Sequence, residues 1–270
     1  MIDRQRVWAL MRKDWLEISR NKQAIAPLAI VPLLFAAIIP AAVILVGNGG
    51  LLRTSVNGLQ SFLDNLPDGI VPSGYTVEQT VVHTVIIYFL APFFLLIPVM
   101  VATIVGSSSF VGEKERRTVE GLLYTPLTNR ELVLGKVLVS VVPSVLVTWV
   151  SFVVYTVVVN SLGASVMGGL FFPTWSWVVL VVVLVPLVSF LATSLIVAVS
   201  GRSKTMQGAQ STAVVIILPV VGLLIGQATG LMLFDITVAL VAALVLLAID
   251  VAAFFLVVKQ FHRERVITSL

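Results

Sequence analysis

Six separate apolar runs, each long enough to cross a bilayer, constrain this chain more than any other feature. A membrane-crossing helix needs about 20 predominantly apolar residues, and residues 24–46, 81–105, 132–159, 174–199, 212–234 and 236–258 each meet that requirement. Inside hydrocarbon the backbone must satisfy its own N–H and C=O groups, which a helix does within one segment. The expected fold is therefore all-α, an integral membrane protein with six transmembrane helices. Composition agrees: 59% of residues are hydrophobic and 11% charged, where a soluble domain carries about a quarter charged.

The first run follows a basic stretch but exceeds a signal-peptide core and lacks a convincing A-x-A cleavage site, so it reads as a retained span. The weakest boundary separates the fifth and sixth runs, where only Asp235 interrupts the apolar pattern. An even number of spans puts both termini on one side. Sixteen of the 17 basic residues fall on that side: in the N-terminal segment, between positions 106 and 136, in the 200–210 loop and in the tail. Only Arg53 falls opposite. By the positive-inside rule the termini and the 106–136 connection are cytoplasmic. The same asymmetry accounts for the pI of about 9.6 without nucleic acid. The loop at about 47–80 is expected to form a short extracytoplasmic cap; that at about 160–173 carries no charge.

Residues 112–131, GEKERRTVEGLLYTPLTNRE, gather eight charges. Residues 113–124 read as a short helix. Glu113 and Arg117, and Arg116 and Glu120, stand at i,i+4, the first pair in the favourable orientation. Val119, Leu122 and Leu123 make an apolar stripe. Pro126 disfavours helix at Thr125, and T-x-x-E at Thr128 to Glu131 is a capping box opening the third span. The charges balance four to four, unlike a one-sidedly basic lipid-binding surface. Two readings stay open on physics alone: a protein-docking surface whose charges set register, and a solvated, salt-bridged interfacial helix.

The run E-K-E-R-x-T-x-E-x-L-L-x-T-P-L at 113–127, followed by Glu131 and the Gly135-Lys136 pair, closely resembles the membrane-spanning subunits of type-2 ABC exporters. The stretch KDWLEISRNKQAIAPLAIVPLL at 13–34 looks like that family's amphipathic N-terminal helix leading into a proline-bearing first span. SKTMQGAQ at 203–210 is similar to the loop before span five in sodium-efflux-type members. The resemblance implies that the element between spans two and three is a coupling helix seated in a cleft of a separate P-loop ATPase. Glu113, Lys114, Glu115, Arg116, Arg117, Thr118, Glu120, Leu122 and Leu123 would form the docking surface. It further implies a second permease subunit (a homo- or heterodimer), ATP and magnesium held by the partner ATPase, and a place in the plasma membrane. On this reading residues 1–23 form a cytoplasmic interfacial helix, 24–258 the six-span permease domain and 259–270 a cytoplasmic tail.

Other features are weaker. Val7, Trp8, Met11, Trp15 and Ile18 fall on one helical stripe among Arg and Lys, as suits a helix in the headgroup plane. Gly222, Gly226 and Gly230 form a G-x-x-x-G-x-x-x-G ridge in span five that permits close helix packing, within the chain, at a dimer seam or at a gate. Asp250 lies within span six, where a carboxylate either faces a translocation path or pairs with a polar neighbour. His83 reads as an interfacial residue. GRSKT at 201–205 lacks the second glycine of a phosphate loop, and no H-E-x-x-H occurs. With no cysteine, thiolate chemistry and Cys-ligated metals are excluded. No catalytic or metal site is expected, and ATP hydrolysis is expected in a partner. An ATP-independent secondary transporter would show paired mid-membrane ionisable residues or inverted repeats, of which Asp250 is the sole hint; a non-transporting membrane scaffold is the third alternative.

Overall fold

The computed structural model describes residues 3–20, 22–48, 72, 74–115, 128–200, 203, 205–229 and 233–260. All regular structure among them is helical. An N-terminal helix, α1 (Arg4–Arg20), precedes six apolar helices long enough to cross a membrane: Ile25–Gly47, Val77–Phe110, Glu131–Met167, Trp175–Ser200, Met206–Gln227 and Ile236–Phe255. The second and third exceed the expected 81–105 and 132–159 at both ends. Their ends are fixed locally. Thr76 caps the second span through a capping box with Gln79, and Thr128 caps the third through one with Glu131, as the T-x-x-E spacing predicts. Gly168, at φ 75°, supplies the left-handed residue that closes the third span.

The expected fifth span, 212–234, is corrected at both ends. It starts at Met206, where the Thr205 side chain caps the backbone of Gly208, and stops at Ala228. Leu233–Asp235 is non-helical, and the Asp235 carboxylate accepts from Val238 N–H at 2.8 Å, capping the sixth span. Hydropathy alone cannot see this break, because the residues before the cap are as apolar as those in the helices.

Two spans form the centre. In their most apolar windows 67% of the second and 61% of the fourth are buried, against 17% for the first, fifth and sixth. The third packs on both central spans, the first lies against the third, and the sixth lies against the fourth. The outward faces of the peripheral spans, such as Leu218 and Leu244, are exposed leucine and valine, the composition expected of a lipid-facing surface.

Prolines shape the first, second and fourth spans. Among the described residues, π-helix occurs at Leu34–Ile38, Val85–Phe89 and Leu180–Leu184. Each contains the residue four before a proline: Ala36 before Pro40, Tyr88 before Pro92, Val182 before Pro186. The pyrrolidine ring would strike that residue's carbonyl in a regular α-helix; widening the turn by one residue moves it aside. Carbonyls of the Val85–Phe89 turn then accept from other spans: Ile86 from Tyr155 Oη at 2.7 Å, Ile87 from Trp177 Nε1 at 2.7 Å and Tyr88 from Gln227 Nε2 at 2.9 Å. Such donors re-satisfy backbone that hydrocarbon could not. Their rings also build the core, with Tyr155 and Trp177 stacked at 4.7 Å and Phe94 and Phe172 edge-on to Trp177 at 5.3 and 5.0 Å. Nearer the basic end, Ser144 Oγ donates to the Pro98 carbonyl at 2.9 Å and lies 2.8 Å from Ser189 Oγ, tying spans two, three and four together.

Candidate functional site

The end of the bundle that carries α1 also carries the start and finish of the charged stretch. α1 buries Val7, Leu10, Asp14 and Ile18, a stripe at helical spacing. The expected stripe of Val7, Trp8, Met11, Trp15 and Ile18 is thus divided. Trp8 and Trp15 are 66% and 46% exposed, on the outward face, while a carboxylate occupies the inward one. α1 reaches the third span closely because position 135 is glycine: a Cβ there would sit 2.8 Å from Leu10 Cδ2.

Asp14 is buried because it has partners. Its Oδ2 accepts from Ser109 Oγ at 2.6 Å, and its Oδ1 lies 3.2 Å from Lys13 Nζ. Lys13 in turn donates to Glu113 Oε1 at 2.5 Å, and Lys136 donates to Glu113 Oε2 at 2.7 Å. Lys136 also donates to the Ser109 carbonyl and stands over the Phe110 ring. Glu17 Oε2 also lies 3.7 Å from Lys13 Nζ, so two ammonium groups meet two buried carboxylates and a third, more exposed one in a cluster that joins α1, the end of span two and the start of span three. Neutralisation and hydrogen bonding are the conditions under which buried charge is tolerated. Burial acts to lower the Lys13 pKa, but the hydrogen bond and charge of Glu113, with Asp14 adding to them, hold it above its usual value.

The next residues extend the connections. Lys114 Nζ donates to the Ser200 carbonyl at 3.2 Å, at the end of span four; burial lowers its pKa. Glu115 Oε2 accepts from Met206 N–H at 2.9 Å, at the start of span five. Gln210 Nε2 reaches back to Ser107 Oγ at 3.0 Å. At the far end of the charged stretch, Glu131 Oε2 accepts from Thr128 N–H at 2.8 Å while its Oε1 accepts from Asp3 N–H at 2.8 Å. Both ends of the stretch are thus fastened to the α1 segment, the exit through Lys13 and Asp14 and the return through Asp3.

Of the expected docking residues, Glu113, Lys114 and Glu115 lie in this cluster. Arg116, Arg117, Thr118, Glu120, Leu122 and Leu123 lie outside the described residues. Gly222 is exposed, with open space where a Cβ would stand, and Gly226 is half-buried; Gly230 lies outside the described residues. Asp250 is buried on the sixth-span face that also buries Ala239 and Ala243, and neither carboxylate oxygen accepts a hydrogen bond from the described residues. His83 stands among the rings of Tyr75, Tyr88 and Phe171. No group of three or more metal-ligating side chains occurs among the described residues.

Sequence reasoning missed Asp14 and Ser109 as members of the cluster and did not assign Lys13 or Lys136 a partner. Two signals were present: a carboxylate at the helical spacing of Val7, Leu10 and Ile18, and a lysine placed inside an apolar span. A family model described as ABC-2 family transporter protein matches residues 8–238, from α1 into the sixth span. No curated protein matches the chain.

Proposed function

This chain belongs to the ABC-2 family of transporter proteins, and from that premise we propose that it is the membrane-spanning permease subunit of an exporter driven by a separate P-loop ATPase. The chain is a multi-pass membrane protein. In the proposed arrangement the charged end is cytoplasmic, a reading supported by the placement of sixteen of 17 basic residues. The ATPase docks on residues 114–123, with Glu113 turned inward to Lys13 and Lys136, and ATP and magnesium stay with that partner. A second permease subunit completes the pathway; the open space at Gly222 and the low burial of the fifth span support a seam there.

The observation that carries the reading is the attachment of the charged stretch. A force applied between Glu115 and Thr128 has rigid points to act on: Glu113 against Lys136 of span three, Lys114 against span four, Glu115 against span five, and α1 against both ends. Ion pairs and packed helices with short connections transmit displacement rather than absorb it. ATPase closure would therefore shift several spans together, which alternating access requires.

The test substitutes the docking surface without touching this cluster. Leu122→Asp places an unpaired charge in a contact expected to be apolar, and Glu120→Lys reverses a docking charge. Both should reduce copurification of the ATPase and substrate-stimulated hydrolysis while the permease expresses at wild-type levels in the membrane. Normal binding and normal coupling in both variants would overturn the proposal.

A further inference from the structure

Alongside the charged cluster lies a groove of about 620 Å³ between α1, the first span and the third. Its walls are carbon: Leu33 and Ala36 on the first span, Leu146 and Val150 on the third, and Trp8 and Trp15 from α1. Arg12 is the one charged residue lining it among the described residues. Arg12 is exposed and has no ion-pair partner among the described residues, whereas the adjacent Lys13 is neutralised by Glu113 and Asp14.

We propose that this groove is a phospholipid site, with one acyl chain along the third span and the lipid phosphate on Arg12. Length is the first argument. The third-span lining runs from Val139 to Val154, about 22 Å at 1.5 Å per residue. A single leaflet with its headgroup layer is half of a 40–45 Å bilayer, so about 20–22 Å deep. Wall chemistry is the second. The lining contributed by the first and third spans is apolar except for Ser151, whose hydroxyl donates to the Val147 carbonyl of its own helix. An acyl chain laid there leaves no polar side chain of that lining unpaired.

Polarity is the third argument. Leu10 meets Gly135 near the start of the third span, so α1 closes the groove at its membrane-surface end and brings Arg12 to headgroup depth. Arg suits a phosphate through its planar fork of donors. Trp8 and Trp15 flank it at the level where tryptophan anchors to the interface. The remainder of the groove offers hydrocarbon nothing but apolar contact and the Ser151 hydroxyl. The site requires only that the chain sits in a bilayer, so its test is independent of transport and of the ATPase.

The full chain is reconstituted into phosphatidylcholine vesicles containing phosphatidylglycerol that carries a photoactivatable acyl chain, illuminated, and mapped by peptide mass spectrometry. Adducts are expected to concentrate on residues 32–36 and 139–154. Arg12→Gln should reduce them about fivefold, equivalent to about 1 kcal/mol for one basic residue at the surface. Leu146→Trp, which fills the groove from an exposed position, should abolish them; Leu244→Trp, on the outward face of span six, should leave them unchanged. Arg12 and Leu146 are both exposed, so neither change threatens folding, and monodisperse elution of each variant checks this. Adducts spread equally over groove and span-six faces would overturn the proposal. So would insensitivity to Arg12→Gln, or an absence of adducts from residues 32–36 and 139–154.

Discussion

Lys136 and Glu113 form an ion pair at 2.7 Å with both side chains 5% exposed, and they join the last turns of span two to the first turns of span three. The residues between them include the whole charged stretch. The pair therefore closes the base of that stretch, and the second Glu113 oxygen, held by Lys13, adds α1 to the same closure.

Breaking this pair from one side should be more damaging than removing it. Lys136→Met leaves Glu113 buried with one cation, and removing one partner of a buried pair costs about 3–5 kcal/mol. The double variant Lys136→Met with Glu113→Leu removes both charges, and Lys13, half-exposed, can turn to solvent or to Asp14. Thermal unfolding of the purified chain in detergent should show the single variant clearly destabilised and the double variant closer to wild type. Strictly additive losses would mean the two side chains do not interact.

The approach of α1 to the third span rests on one missing side chain. Gly135→Val should push Leu10 aside, because a Cβ at 135 falls 2.8 Å from Leu10 Cδ2 and a branched residue cannot retract. Overpacking costs typically about 1–3 kcal/mol. Leu10→Ala should recover part of that loss when combined with Gly135→Val, although alone it destabilises by leaving a cavity. Proteolytic release of α1 from membranes gives the readout: faster in Gly135→Val, slowed again in the double variant.

What the sequence revealed and what it hid divide along physical lines. The six spans were legible because bilayer thickness demands runs of about 20 apolar residues. The Thr128 cap was legible because its partner Glu131 is three residues away. The end of the fifth span was not, since an apolar loop and an apolar helix share one hydropathy. The α1 stripe was picked out by apolarity, with Trp8 and Trp15 at the membrane interface, and so passed over Asp14. At a membrane surface tryptophan is favoured outside, and Asp14 is stable inside because Ser109, 95 residues away, donates to it. The cluster as a whole was hidden for the same reason: Lys13 and Glu113 are 100 residues apart, and nothing in local spacing pairs them.

Asp250 gives a prediction that separates burden from use. A buried carboxylate that meets no donor among the described residues is costly, so Asp250→Leu should raise thermal stability if the residue serves only the fold. If it faces the translocation path, the same variant should lose substrate-stimulated transport in reconstituted vesicles while stability holds or rises. A variant that loses stability would instead show that Asp250 has a structural partner in the assembled transporter.

Gly222 distinguishes a seam between subunits from packing within one. A Cβ at this position meets nothing within 4 Å, so Gly222→Leu should cost the single chain nothing by overlap. It should even favour the helix, since glycine is about 1 kcal/mol worse than the best helix formers. A second permease subunit packed against the ridge would meet the new side chain directly. The expected result is an unchanged or higher melting temperature together with reduced crosslinking between two copies through cysteines placed at positions 218 and 225, which lie on the exposed face of the same helix. No crosslinking through 218 and 225 in the parent chain, with transport unaffected by Gly222→Leu, would place this face against lipid and move the subunit seam elsewhere on the bundle.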